Sequence, residues 1–191
     1  DKAGQAFNQV HEAIVAAGIA VALKEIYEYF ASCAQASMDF ESAITGVAKT
    51  TDLTDEELAA MSDSIKALST EIPATTEEIA AVAEAAGQLG IQKDALLDFT
   101  EIMTMLGTAT NMTADEAATA LARFANITGM ATDNYGRLGS VIVDLGNNFA
   151  TTESEIVAMG TRLASAGKLA GLTEPEIMAL AAAMSSVGIE A

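Results

Sequence analysis

The sequence TTEEIAAVAEAAGQLGI occupies residues 75–91 and has the form of one complete short helix. Thr75 is followed three residues later by Glu78, which is the capping-box pattern. The threonine hydroxyl accepts from the N–H of the glutamate, and the carboxylate accepts from the N–H of the threonine. Apolar residues then recur at helical spacing, and Gly90 stands where a helix should end. A phrase of the same form, TEPEIMALAAAMSSVGI, occupies residues 173–189, so the sequence predicts two short helices of one design.

The Thr-x-x-Glu pattern occurs three more times, and each copy precedes apolar residues at helical spacing. Further acidic residues share the same first turns, where the positive end of the helix dipole favours them. We therefore interpret these carboxylates as helix caps, and as less suited to acid–base chemistry. The five pairs are Thr54/Glu57, Thr75/Glu78, Thr113/Glu116, Thr152/Glu155 and Thr173/Glu176.

Other segments read as helix without a capping box. The region from about residue 5 to 48 is helical in pattern throughout, and residues 93–128 hold two linking helices, of which the first lacks a box. Glycines near the expected helix ends are interpreted as stops: Gly90, Gly107, Gly129, Gly167 and Gly188. The uncapped helices carry the stripes Leu96, Phe99, Met103 and Leu106, and Leu138, Val141, Ile142 and Leu145.

The composition indicates the same fold class. Hydrophobic residues make up 51% of the 191 residues but aromatic residues only 5%, and there are two prolines. Alanine, leucine and methionine favour helix, and small side chains let helices approach closely. We predict an all-α protein, a multi-helix array of short capped amphipathic helices with two similar three-helix units, preceded by a long N-terminal helix.

The two units are residues 40–91 and 138–189. A shift of 98 positions aligns them without a gap, and Gly-Ile closes both. Alanine-rich capped helices would agree partly by chance, so the alternative of independent helices stays open. The retained Gly-Ile suggests a shared contact that docks each unit onto the next segment of the chain. The aligned stripes are Phe40, Ala43, Ile44 and Val47; Leu58, Met61, Ile65 and Leu68; Ile79, Val82, Ala83, Ala86 and Leu89; and, in the second unit, Leu138, Val141, Ile142 and Leu145; Ile156, Met159, Leu163 and Ala166; Ile177, Leu180, Ala181, Met184 and Val187.

The net charge is −18, with nine basic and 27 acidic residues. Such a surface repels phosphate backbones and anionic lipid headgroups, so direct binding of nucleic acid is not expected. The only cysteine is Cys33 and the only histidine is His11. An internal disulfide and a Cys/His metal cluster are therefore both excluded.

No catalytic, cofactor-binding or metal site is predicted. His11 begins HEAIV but has no second histidine at the spacing of a zinc helix. We expect Cys33 to be a buried or half-buried helix residue, with a reactive thiol as the alternative. The nine methionines follow helix stripes and read as core or helix–helix contacts, or as an adaptable binding groove.

The apolar run AIVAAGIAVAL at residues 13–23 is shorter than the roughly 20 residues of a membrane span. We interpret it as one face of a buried or self-associating helix. The chain begins DKAGQAF without methionine and ends VGIEA. We expect it to be a fragment of a longer polypeptide.

Several phrases resemble the core region of phage tail tape measure proteins, found in long-tailed phages and in prophages. The resemblance covers residues 38–191, and residues 1–37 would be the helical segment that precedes this core. The phrases are FESAITGVAKTTDLTDEEL, AAGQLGIQKDALLDFTEIM, MTADEAATALARFANITGM, LGSVIVDLGNNFATTESEI and GLTEPEIMALAAAMSSVGIEA.

The resemblance implies a structural protein of the virion tail that fills the lumen of the tail tube, sets tail length and directs assembly. It implies self-association as a trimer or hexamer, and contacts with the tail tube protein, with assembly chaperones in the bacterial host cytoplasm, and with distal tail or baseplate proteins. It carries no catalytic residues onto this chain, so we expect no enzyme and no cofactor.

Two other functions stay open at this point. Residues 6–31 could insert in the host membrane during genome ejection, which would make this a membrane-active segment. A cell-wall hydrolase would need a Cys/His or His/Asp cluster or a catalytic glutamate cleft. The distance of Cys33 and His11 from the capped helices argues against it.

Overall fold

A computed structural model describes the backbone of residues 2–189 and the side chains of residues 15, 17, 18, 20, 21 and 23–189. It divides the chain into two compact units, residues 1–41 and 42–191, called here the N-terminal and C-terminal units. The predicted domain division at residues 37 and 38 stays a prediction.

The predicted all-α fold is confirmed: the described residues form eight α-helices and one short 3₁₀ helix, with no strand among them. The long N-terminal helix and the short helices after it occur in the predicted order. The α-helices are α1 Lys2–Thr50, α2 Asp55–Glu71, α3 Thr76–Gln88, α4 Lys93–Ala109, α5 Ala114–Thr128, α6 Tyr135–Asn148, α7 Glu153–Leu169 and α8 Glu174–Ser186, with the 3₁₀ helix Thr132–Asn134 before α6.

The N-terminal unit consists of the first part of α1. Its described side chains from residue 15 to 39 are exposed, and they include large apolar ones such as Tyr27 and Phe30. The expectation that Cys33 is buried or half-buried was wrong, because its side chain is exposed. Among the described residues, α1 is the one element of the N-terminal unit. Helical periodicity alone does not show whether an apolar helix face has a partner.

The C-terminal unit buries its apolar stripes between helices. α4 and α5 occupy its centre: α4 contacts α2, α3, α5 and α6, and α5 contacts α3, α4 and α7. The largest fully buried side chains come from every α-helix of the unit except α1. They are Ile65, Ile79, Leu96, Phe99, Met103, Leu121, Phe124, Leu138, Ile142, Ile156, Ile177 and Met178.

Small residues allow this close packing. Alanines at the contact faces of α3, α5 and α8 are fully buried, as at Ala83, Ala118 and Ala181. One edge-to-face aromatic pair joins α4 to α6, with the ring centroids of Phe99 and Tyr135 4.8 Å apart. The buried hydroxyl of Thr100 donates to the Leu96 carbonyl in its own helix at 2.7 Å, so its burial leaves no polar group unpaired.

The two segments aligned in sequence have matching helix boundaries. Adding 98 to the bounds of α2 gives the bounds of α7, and the same shift converts α3 into α8 and the end of α1 into the end of α6. We call residues 40–91 the first repeat and residues 138–189 the second repeat. Two helices share both bounds and a third shares its end, which indicates that local sequence determines where these helices start and stop.

The capping boxes produce these starts. The N–H of Thr75 donates to the Glu78 carboxylate at 2.8 Å, and the N–H of Glu78 donates to the Thr75 hydroxyl at 3.2 Å. Equivalent pairs of bonds begin α2, α5 and α7. At α8 the Glu176 carboxylate accepts from both the N–H and the hydroxyl of Thr173, at 2.8 and 2.7 Å. As predicted, α4 and α6 begin without a side-chain cap.

Glycines in the left-handed conformation end several helices. Gly90 has φ +79°, and the next N–H, of Ile91, donates back to the Ala86 carbonyl at 3.0 Å. Gly188 has φ +83° with the corresponding bond from Ile189. This is the Schellman motif, in which the residue after the glycine also turns towards the helix. It explains why glycine recurs at the end of both repeats, whereas the docking contact proposed for Gly-Ile stays a prediction.

Two of the predicted stops were wrong. Gly107 and Gly167 lie inside α4 and α7, and α7 is instead followed by Gly171 at φ +82°. A Cβ on Gly107 would lie 2.6 Å from the backbone nitrogen of Ala114, and one on Gly167 would lie 2.6 Å from Cγ1 of Ile177. These glycines are present because a neighbouring element approaches their helix closely.

Gly107→Ala is expected to lower the free energy of unfolding by about 1–3 kcal/mol, because the added methyl meets the backbone at Ala114 and one segment must move. The measurement is equilibrium urea unfolding followed by circular dichroism. Gly136→Ala in α6 is the matched control, since its Cβ would meet only Cδ1 of Ile102 at 3.6 Å. The control should be neutral or stabilised by up to about 1 kcal/mol. Equal stability of the two variants would contradict the close approach.

Candidate functional site

The glutamates of the Thr-x-x-Glu motifs each accept a hydrogen bond at the start of their own helix. The N–H and hydroxyl of Thr113 hold the pKa of Glu116 below its ordinary value, and Thr173 does the same for Glu176. At Glu155 the donors are the N–H and hydroxyl of Thr152 and the hydroxyl of Thr151. Hydrogen bonds that stabilise the ionised form make these groups poor proton donors near neutral pH.

Two cap regions also join different helices. The Lys93 ammonium, at the start of α4, lies 2.7 Å from the Glu57 carboxylate at the start of α2. This bond and the Thr54 N–H lower the pKa of Glu57. The loop before α5 meets the start of α7, where Asn111 donates to the Ser154 hydroxyl at 2.8 Å and accepts from its N–H at 3.1 Å. These contacts position the helices, and they occupy the polar groups of Glu57, Asn111 and Ser154 in hydrogen bonds within the protein.

A groove of about 730 Å³ lies between α4 and α6 in the C-terminal unit. Most of its exposed lining is apolar, from Ile102, Met105 and Leu106 on α4 and from Gly139 and Val143 on α6. Residues 71–73 also line it. A groove with a mostly apolar lining is suited to contact with an apolar side chain or helix.

The described methionines divide between two environments. Met61, Met103, Met159 and Met178 are buried on helices, as expected for stripe positions, whereas Met112 and Met130 are buried in segments between helices. Met105 is half exposed beside the groove, Met38 is exposed on α1, and Met184 is half-buried on α8. The sequence pattern could not separate buried from exposed methionines on the helices, because both kinds lie at helical spacing.

The described side chains form no cluster of the residue types that could carry out metal-dependent chemistry. His11 lies outside the residues whose side chains are described, and so do several members of the run at residues 13–23. Within the described side chains, no group of three His, Cys, Asp or Glu residues could hold a metal ion. In the same part of the chain, no helix is both long enough and apolar enough to cross a bilayer.

The capping carboxylates predict a pH dependence of stability. Their folded pKa values lie below the ordinary 4.5, so the stability they add is present above that pH and is lost as the pH falls through the folded values. Glutamine still accepts the capping bond but does not titrate. We expect the triple variant Glu116→Gln, Glu155→Gln, Glu176→Gln to lose less stability than the wild type between pH 6 and pH 3, measured by urea unfolding.

Acidification also relieves repulsion among the acidic residues, which acts in the opposite direction. The matched control removes three exposed charges outside the capping boxes, through Glu25→Gln, Asp98→Asn and Asp133→Asn. Its pH profile should parallel that of the wild type. If the control and the triple variant change the profile equally, the effect belongs to net charge and the capping interpretation fails.

Comparison with known proteins identifies the family. The family described as "Phage-related minor tail protein" matches residues 62–191, which run from α2 to the end of the chain. No curated protein matches this chain. No solved structure matches it.

The match covers more than half of the chain and includes four of the five capping boxes, α4 and α5, and the whole second repeat. The all-α array of capped helices and the family match agree with a structural part of a phage tail. The chain belongs to the phage-related minor tail protein family.

Proposed function

We propose that this chain is part of the core of a tape measure protein, which fills the lumen of the tail tube, sets tail length and directs tail assembly. The observation that carries the proposal is the family match over residues 62–191, in the region whose phrases resemble tape measure cores. Membership of a minor tail family supports a role in the phage tail. The deletion described below tests the proposed control of tail length.

The physical properties of the chain support the proposal. A net charge of −18 would repel DNA that later passes through the same tube. Helices of 13 to 17 residues, five of them begun by a capping box, pack into an array through small side chains. Cap carboxylates already bound at helix starts are consistent with a scaffold, and we propose that the chain is not an enzyme.

The proposed partners are other proteins of the tail. We propose self-association as a trimer or hexamer, contact with the tail tube protein, and chaperones that cover apolar surface in the host cytoplasm before the tube forms. The exposed apolar side chains of α1, such as Val21, Leu23 and Ile26, are the kind of surface that such a chaperone or a second copy would cover. Distal tail or baseplate proteins complete the proposed set, and direct nucleic-acid binding is not part of it.

The test is an in-frame deletion designed on the repeat. Removal of residues 51–148 joins Thr50 to Phe149 and keeps the repeat register, because Thr50 is equivalent to Asn148, the residue that Phe149 follows in the wild type. We expect tails shortened by up to about 150 Å, the length of 98 residues as helix at roughly 1.5 Å each, or failure of tail initiation. Electron microscopy of the tails gives the measurement.

Gly107→Ala is the control for this deletion, because it lowers stability without changing chain length. It should leave the length of completed tails unchanged. Tails of wild-type length and full infectivity after the deletion would contradict the tape measure proposal.

The second candidate function is membrane activity during genome ejection. The observation that favours it is the exposed apolar side of α1, where Tyr27 and Phe30 are 74% and 66% exposed. On this hypothesis the chain causes dye leakage from liposomes of neutral lipid, and Tyr27→Ser with Phe30→Ser reduces the leakage severalfold. Leu169→Ser, at a 91% exposed residue of α7, is the matched control. An absence of leakage by the wild-type chain would exclude this function for residues 6–31.

A further inference from the structure

Equivalent positions of the two repeats are not equally buried. Val82 in α3 is 2% exposed, whereas its equivalent Leu180 in α8 is 43% exposed. Ala86 is fully buried, whereas its equivalent Met184 is half-buried. The half-buried Leu89 corresponds to Val187, which is 74% exposed. The second repeat therefore presents to solvent an apolar strip that the first repeat covers.

The difference arises from the neighbours of each helix. α3 contacts α2, α4 and α5, whereas α8 contacts α6 and α7. On α3, Val82 lines one crevice with Thr104 and Gly107 of α4 and with Ala114 at the start of α5. The strip that is open on α8 therefore corresponds to a side of α3 that faces α4 and the start of α5.

The helix before α8 shows the same pattern. Leu68 of α2 is 8% exposed and Ile65 is fully buried, and α2 contacts α4. Their equivalents in α7 are the exposed Ala166 and the half-buried Leu163. The open surface of the second repeat therefore continues from α8 onto α7.

One ion pair of the first repeat involves a carboxylate that has an equivalent in the second repeat. In the first repeat, Lys93 at the start of α4 binds Glu57 at 2.7 Å. The equivalent of Glu57 is Glu155, an exposed carboxylate whose hydrogen-bond donors come from the adjacent Thr151 and Thr152. A basic residue at the start of an added helix would find at Glu155 the same acceptor that Lys93 finds at Glu57.

We propose that Leu180, Met184 and Val187 form a docking surface for an amphipathic helix of the α4 type. Such a helix begins with a basic residue and carries large apolar residues at the spacing of Leu96, Phe99 and Met103. The apolar residues cover α8, and the basic residue pairs with Glu155. The inference rests on the comparison of the repeats and is independent of the tape measure role.

Charge favours this occupant over a second copy of the same surface. A second copy would bring another protein of net charge −18 against a surface that includes the exposed carboxylate of Glu155. Like charges at a shared interface oppose association, whereas a helix that begins with a basic residue is complementary to Glu155.

The first experiment uses a fluorescent peptide with the sequence of residues 91–110, titrated against the full chain and followed by anisotropy. We expect saturable binding that Leu180→Asp with Val187→Asp weakens at least about tenfold. Ser165→Asp in α7 is the matched control, because Ser165 and its equivalent Ala67 are both exposed. It should bind as the wild type does. Circular dichroism confirms that the variants keep their helix content.

The second experiment places the helix in the same chain, where the local concentration is high. A copy of residues 92–110 replaces residues 190–191 and keeps the repeat register. We expect Tm to rise by at least about 3 °C, and the rise to disappear with Leu180→Asp and Val187→Asp.

Three outcomes would overturn the proposal. One is an extended chain with unchanged Tm, and another is peptide binding reduced equally by Ser165→Asp. The third is sedimentation of the chain alone as dimers that Leu180→Asp dissociates, which would assign the surface to a second copy.

Discussion

Burial of the apolar side of a short helix requires another helix, and the C-terminal unit depends on this constraint. Its helices α2 to α8 have 13 to 17 residues, close to the length at which isolated helices are marginal in water. Each is therefore stable only through its neighbours. α4 and α5 supply the shared partners, and Phe99, Leu121 and Phe124 are almost completely buried for this reason.

Short helices can form a stable unit here because they pack closely against one another. Alanines at contact faces, and glycines such as Gly107 where backbone meets backbone, bring the helices near enough for dispersion contacts to accumulate along their whole length. The side chains that pack between the helices are mostly apolar, so few polar groups lie in the interior. Carboxylates are placed at helix starts, where the dipole and the N–H groups stabilise their charge. A strongly acidic surface and a compact apolar interior thus arise from one pattern.

Local patterns were readable from the sequence, and long-range contacts were not. Thr75 and Glu78 are three residues apart, so their capping bonds involve no other part of the chain, and the helix starts were predicted correctly. Gly107 was misread as a stop because its role depends on Ala114 in the next element. The exposure of Cys33 was missed because an apolar helix face has the same period whether or not it has a partner. The groove beside Met105 was missed for a related reason, since no periodicity shows which two helices leave a gap between them.

The sequence by itself determined the capped helix starts and the register of the two repeats, because capping bonds join residues only three positions apart. Only the tertiary structure decided which apolar positions are covered. Val82 and Leu180 occupy the same place in the same repeated helix, yet one is buried and the other is open. Burial is a property of the pair of surfaces in contact, and α3 has α4 beside it where α8 presents the same side to solvent.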